Sequence, residues 1–377
     1  MRKFALFAAA VLCVFAAGTS EDAQTAKAPL QAKEASLEPI ALPAPIETMI
    51  GQMIAIGFDG NRTRDEWVVS VKESIKNGEI GSVVLYGRNV INPEQLENFV
   101  KQLHYSIDGN RLPLWVMIDQ EGGRIERLSA KKGFCGFPSA KKVAQSGAQN
   151  AYSTYRNLAC ELRGYGINFN LAPVVDLDID GSVIARDERS FSADEITAAK
   201  MAEVFIKAHN SCGILTAIKH FPGLGNALTD THKQSADASQ TYKPSELFPF
   251  KSLIENDKVN AVLVSHAIDA KIDRLPASLS KAHIDHLRSL GFDGVVITDD
   301  LQMGAIANHF DLNETVVLAV NAGSDILLFA NTLSEDRDLP QKIRAIIVGA
   351  IENGEISVSR LIEAYNRIAQ LKKKRIL

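Results

Sequence analysis

The sequence predicts an α/β fold, a single-domain (β/α)8 TIM barrel, on two observations: eight short apolar runs separated by helical segments, and ionisable residues placed directly after several of those runs. The runs are MIAIGF (53–58), GSVVLYG (81–87), LWVMIDQ (114–120), INFNLAPVVD (167–176), ILTAIKHF (214–221), VNAVLVSHA (259–267), GVVITDDL (294–301) and SDILLFA (324–330). Each is nearly continuous in hydrophobicity, as strands covered on both faces must be, and their alternation with helices makes the sheet parallel. An open doubly wound sheet is the competing architecture, but it needs fewer strands, and no glycine-rich dinucleotide turn follows the first run. The closing helix shows the helical pattern: Leu361, Ile362, Tyr365, Ile368 and Leu371 share one face, and Ser357 or Ser359 can cap its start. Lys372, Lys373 and Lys374 suit the negative end of its dipole, so this basic cluster reads as a helix terminus and not as a ligand site.

Ahead of the barrel, Arg2 and Lys3 precede an apolar run over residues 4–17 and then small and polar residues, the layout of a secretory signal over residues 1–18. The run is short for a membrane span; an uncleaved anchor is the alternative. Cys13 lies inside it and follows Leu12, where lipoprotein processing requires a small residue. Residues 19–45 are rich in Ala, Pro, Lys and Glu without apolar periodicity and read as a flexible tether, which leaves 46–377 as the folded domain. The expectation is an exported protein, periplasmic or secreted, monomeric and without stable membrane insertion once the signal is removed. A formal charge of -4, from 41 basic and 45 acidic residues, offers no positive excess for a phosphate backbone, so nucleic acid is set aside. After signal removal Cys135, Cys160 and Cys212 remain, an odd set that leaves at least one thiol unpaired in a monomer. Their spacing matches no zinc motif, and they read as buried small apolar residues, with Cys135 in GFCGFP the one to watch for exposure.

Asp119, Asp176, Lys219 with His220, His266 and Asp299 all stand at the carboxyl ends of predicted strands, which in a barrel share one rim. Asp299 follows VVIT, so a central strand would fix its carboxylate for covalent attack; Asp300 points to the other side of the chain. The plainer reading is that both acids cap the following turn. In Asp230-Thr231-His232 the two ionisable groups lie two residues apart, so an extended segment projects them the same way. A carboxylate there fixes the imidazole tautomer and makes a proton donor useful near neutral pH, although such triplets are common in surface loops. Lys219 and His220 end a strand, where a lysine is costly to bury unless it faces a polar ligand such as sugar hydroxyls. Asp119 and Arg127 can grip a diol, one accepting and one donating, or can form an ion pair sealing the barrel top. Histidines at strand ends also build metallohydrolase barrels, but no His-x-His follows the first strand and His220, His232 and His266 lack a second ligand set. Neither a metal nor another cofactor is expected.

Taken together, IDQEGGRIERL (118–128), KHFPGLGNALTDTH (219–232) and VITDDLQMGAI (296–306) resemble glycoside hydrolase family 3, within it the single-domain β-N-acetylglucosaminidases (β-hexosaminidases of the NagZ type). The resemblance runs from about Ile46 to Leu377 and includes LYGRNVINPEQL (85–96), NFNLAPVVDLD (168–178), ERSF (188–191) and SELFPF (245–250). It implies that Asp299 is the nucleophile and Asp230 with His232 the acid/base pair. It also implies that Asp119, Arg127, Arg189, Lys219 and His220 hold the terminal sugar, with His266 in a supporting place. Two departures stand out. Leu224 and Asn226 replace residues that are often His or Asp, and SVIARDERSF carries extra residues, so Arg186 competes with Arg189. The implied activity is retaining exo-hydrolysis of terminal β-linked N-acetylglucosamine from peptidoglycan fragments or chitooligosaccharides. The same-family alternatives are an N-acetylglucosaminide phosphorylase and a β-glucosidase; an inactive barrel that binds cell-wall sugars is the alternative of another class.

Overall fold

Every one of the eight apolar runs contains a barrel strand. The computed structural model describes residues 41–109, 111–224 and 236–374. Its strands are β1 (Ile54–Gly57), β2 (Ser82–Leu85), β3 (Trp115–Ile118), β4 (Phe169–Asn170), β5 (Leu215–Phe221), β6 (Ala236–Asp237), β7 (Ala261–Val264), β8 (Ala267–Ile268), β9 (Val295–Thr298) and β10 (Leu327–Phe329). Eight of them form one sheet in the order β10-β1-β2-β3-β4-β5-β7-β9, each neighbouring pair parallel. A parallel bridge between Ile297 and Ile326 brings β9 back to β10 and closes the cylinder. The short β6 and β8 pair separately. Barrel strands are buried on both sides, which is why their sequences lack alternation. The intervening helices are amphipathic and locally encoded. Pro93–Tyr105, for example, begins behind an Asn92 cap that accepts from Gln95 N and buries Leu96, Phe99, Val100 and Leu103 against the strands.

Two joints rely on side chains. β4 is only two residues long, and Asn168 and Asn170 extend it: their Oδ1 atoms accept from Val116 N and Gln120 N, and their amides donate to the carbonyls of Leu114 and Gln120. At the β9/β10 seam, Asp325 accepts from Val296 N, Thr298 Oγ1 from Leu328 N and Asp300 Oδ1 from Ala330 N, each near 3 Å.

The amino-terminal ends of the strands are sealed by charge. Asp325, fully buried, holds Arg288 and Arg367 at 3.0 and 3.3 Å and also Arg360. Lys372 stands in the last turn of its helix, as read from the sequence, but it is buried: it is 1 % exposed, donates to Gln52 Oε1 and Gly81 O at 2.7 and 2.8 Å, and lies over the Trp115 ring. The helix Val358–Lys373 ends against the barrel floor, so the last turn's inner face is interior. Its start is as expected, capped by Ser357.

The cysteine reading also needs correction. Cys160 and Cys212 form a disulfide that ties helix Ala148–Gly164 to the end of helix Glu195–Ser211, and neither residue is buried. Cys135 is a free, exposed thiol. Among the described residues no helix is long and apolar enough to cross a membrane.

Candidate active site

Most of the site residues in the described part of the chain stand where strands end; Arg127 and Arg189 come from the loops that follow β3 and β4. Asp119 follows β3, Lys219 and His220 close β5, Asp299 follows β9, and Tyr86 follows β2. Parallel strands in one cylinder bring these ends to a common rim.

At its centre is a buried charge network. Lys219 Nζ lies 2.8 Å from both Asp119 Oδ1 and Glu121 Oε1, so two protein carboxylates satisfy the lysine that the sequence assigned to a sugar. Burial alone would lower the ammonium's pKa, but Asp119 and Glu121 outweigh it and raise it above the usual lysine value. Glu121 also receives both arms of Arg189, Nε and Nη2 each at 2.8 Å. Burial opposes its ionisation, yet Arg189 and Lys219 hold it well below the usual carboxylate range. Asp119 is lowered likewise, by Lys219 and Arg127 against burial. The backbone makes this possible: Gly122, at φ +93°, turns the chain beneath Pro138 O, which a Cβ there would approach to 2.4 Å. Arg127 meets Asp119 Oδ2 at 3.3 Å and is set by Gln120, whose Oε1 accepts from Arg127 N and Leu128 N. Of the two sequence options for Arg127 the ion pair is present, and its Nε is buried with no hydrogen-bond partner among the described residues.

His220 lies beside this network. Its Nδ1 is 2.6 Å from Asp176 Oδ2, and its Nε2 is 3.5 Å from Arg189 Nη2. Arg189 thus stands inside the site; Arg186, in the last turn of a short helix, is exposed.

Asp299 is half-buried, and its Oδ1 accepts from Asp300 N at 2.8 Å. Asp300 turns to the β10 side, where Oδ1 also takes Gln302 N at 3.1 Å. The turn-capping reading therefore holds for Asp300. His266 is buried; its Nε2 lies 2.8 Å from the Asp300 carbonyl, which can only accept, so Nε2 carries the hydrogen. Ser278 Oγ then donates to Nδ1 at 2.7 Å.

A cavity of about 100 Å³ is bordered by Tyr86, Asp119, Arg127, Lys219, His220 and Asp299, among others. Two larger cavities, of about 410 and 360 Å³, open at the amino-terminal strand ends, beside Gly323 and Asn260, with none of these groups. Tyr86 stacks its ring near the Arg127 guanidinium, and burial with Asp119 and Asp300 pushes its hydroxyl pKa up. Among the described residues no three His, Cys, Asp or Glu side chains are grouped to hold a metal ion. Asp230 and His232 fall in 225–235, outside the described residues.

Sequence reasoning missed Glu121 and left Asp176 without a role. For Glu121 a signal was present: an acid directly after a strand, followed by two glycines, is a carboxylate aimed by a tight turn.

Comparison with known proteins agrees with this fold. The model of the Glycosyl hydrolase family 3 N terminal domain matches residues 45–371. A beta-hexosaminidase of Hydrogenovibrio crunogenus is 31% identical over 310 residues, covering 78% of this chain and 83% of its own. One from Psychromonas ingrahamii is 32% identical over 321 residues, covering 81% and 88%. Among solved structures, a family 3 beta-N-acetylglucosaminidase from Paenibacillus sp. superimposes with TM-score 0.80 at 29% identity, covering 88% of this chain and 62% of that one. A beta-N-acetylhexosaminidase from Beutenbergia cavernae gives TM-score 0.79 at 26% identity, covering 88% and 100%. The chain thus spans about three-fifths of the Paenibacillus protein and all of the second.

Proposed function

Because the chain belongs to glycosyl hydrolase family 3 and is a glycoside hydrolase, we propose that it is a retaining exo-β-N-acetylglucosaminidase acting on peptidoglycan fragments or chitooligosaccharides. The observation that carries the reading is the Asp299 carboxylate at the tip of β9, bordering the same cavity as Asp119, Arg127, Lys219 and His220. A sugar ring needs donors and acceptors together, and this rim offers both: Asp119 accepts, while Arg127 and Lys219 donate. Arg127 Nε is a buried donor still in want of an acceptor, which a hydroxyl or carbonyl oxygen of the ligand supplies. The names of the relatives and structural neighbours support N-acetylglucosamine as the sugar.

In the proposed reaction Asp299 attacks the anomeric carbon and the bond to the leaving oxygen breaks. That oxygen takes a proton from His232, with Asp230 orienting the imidazole. Neutral His232 then deprotonates a water that releases the sugar from Asp299 with configuration retained. Replacing Asp299 by Asn keeps the shape and removes the nucleophile, so turnover of an aryl N-acetylglucosaminide should fall by roughly 10³-fold or more with folding intact. A fluorinated N-acetylglucosaminide should label the peptide containing Asp299; a label on another peptide sinks the assignment. Adding phosphate tests the phosphorylase alternative, since only phosphorolysis yields sugar 1-phosphate, and an aryl glucoside tests the β-glucosidase one. Export belongs to the same proposal, supported by the Cys160–Cys212 disulfide, a bond that persists mainly in oxidising compartments.

A further inference from the structure

Asp176 is where two parts of the site meet. Its carboxylate is fully buried and receives three donors. Oδ2 lies 2.6 Å from His220 Nδ1 and 3.2 Å from His220 N, and Oδ1 lies 2.6 Å from Leu224 N. An ionised carboxylate only accepts, so the Nδ1 that faces it carries the hydrogen. On the opposite edge of the ring, Arg189 Nη2 is 3.5 Å from Nε2; a guanidinium only donates, so Nε2 turns its lone pair outward. The ring is thus held in one tautomer, and His220 itself borders the cavity that Asp299 borders.

We propose that Asp176 is a positioning residue for the glycosidase reaction, fixing His220 as the Nδ1–H tautomer, so that a substrate hydroxyl can take over its Nε2 lone pair from the long 3.5 Å contact to Arg189. The same carboxylate holds Leu224, the last described residue before the segment that carries Asp230 and His232. The inference rests on the function proposed above. Among the described residues only donors meet the Asp176 carboxylate, and this makes its amide analogue informative. In Asp176→Asn the new NH2 must oppose either Leu224 N–H or His220 Nδ1–H. The first frees the backbone at Leu224; the second forces the ring hydrogen to Nε2, toward Arg189.

The test is a double-mutant cycle of Asp176→Asn and His220→Gln, read as kcat/KM on an aryl N-acetylglucosaminide and as affinity for free N-acetylglucosamine. Nitrogen-15 spectra of the histidine rings accompany it, because they separate the two tautomers. We expect Asp176→Asn to lower kcat/KM by roughly 10- to 100-fold in the wild-type background and by less than about 2-fold when His220 is already Gln. The His220 ring should be Nδ1–H in the wild type and lose that state in the Asn variant. Unchanged activity in Asp176→Asn, or an equal loss in both backgrounds, overturns the proposal, since a purely structural role costs the same whatever stands at 220. If the Asn variant does not fold, the wild-type ring decides: Nδ1–H upholds the assignment and Nε2–H overturns it. If the wild type hydrolyses no N-acetylglucosaminide, the functional reading has failed, and the ring spectra, which need no substrate, still judge the Asp176–His220 contact separately.

Discussion

Two buried lysines show how differently one residue type can be accommodated. Lys219 sits between Asp119 and Glu121, so its charge is matched and retained. Among the described residues Lys372 meets only neutral groups, the acceptors Gln52 Oε1 and Gly81 O and the Trp115 ring. Those contacts favour the ammonium, but burial dominates and pushes its pKa down to about 7. The sign of the pH effect follows. Between about 7 and the unfolded lysine value of about 10.4 the unfolded chain binds a proton that the folded one does not, so stability rises with pH across that window. The gain is complete above the upper value and is lost as pH falls through the lower one. Urea unfolding at pH 7 and pH 9 should show the wild type gaining up to about 2 kcal/mol relative to Lys372→Met. A difference between the two proteins that does not change with pH would show that Lys372 stays charged throughout. At the acid end, Glu121 stays ionised well below the ordinary carboxylate range and Asp119 below its ordinary value; the stability they contribute is fully present above the unfolded values and is lost as pH falls through the lowered ones.

Between elements, the β9/β10 seam is exposed to single substitutions, because side-chain oxygens accept from Val296, Leu328 and Ala330. Thr298→Val preserves shape but strands the buried Leu328 N–H, and should cost about 1–3 kcal/mol by chemical denaturation; a cost near zero would mean that the strands shift to repair the loss. The Cys160–Cys212 bond closes a loop of sequence separation 52 between two neighbouring helices. Mild reduction should lower stability by about 2–4 kcal/mol without loss of secondary structure. Circular dichroism and urea titration with and without dithiothreitol check this. The eight strands were legible because barrel strands are buried on both faces and leave continuous apolar runs. The disulfide was not, since nothing local in helices 148–164 and 195–211 says which faces will touch. The brevity of β4 was hidden for a related reason: Asn168 and Asn170 look like polar interruptions and act as rungs of the ladder.

At the scale of the whole molecule, an exported mature chain should show one accessible thiol, Cys135, when native and oxidised, and three after reduction and unfolding. Thiol titration together with the intact mass of protein from the cell envelope tests this; retention of residues 1–18 would refute signal removal. The rim was legible from sequence because a barrel converts strand order into proximity, so Asp119, Lys219, His220 and Asp299 could be grouped before any geometry was known. Glu121 escaped, and Asp176 was placed on the rim without a role, because their work is to hold other side chains, which depends on directions that spacing does not encode. The residue next to Asp299 has a further consequence. Asp300 is held through its carboxylate by the strand-10 side of the barrel, through its carbonyl by His266, and through its amide by Asp299 itself. If Asp299 is the nucleophile as proposed, its aim depends on the completed cylinder, and a chain whose tenth strand has not docked should be chemically silent however well the rest of it has formed.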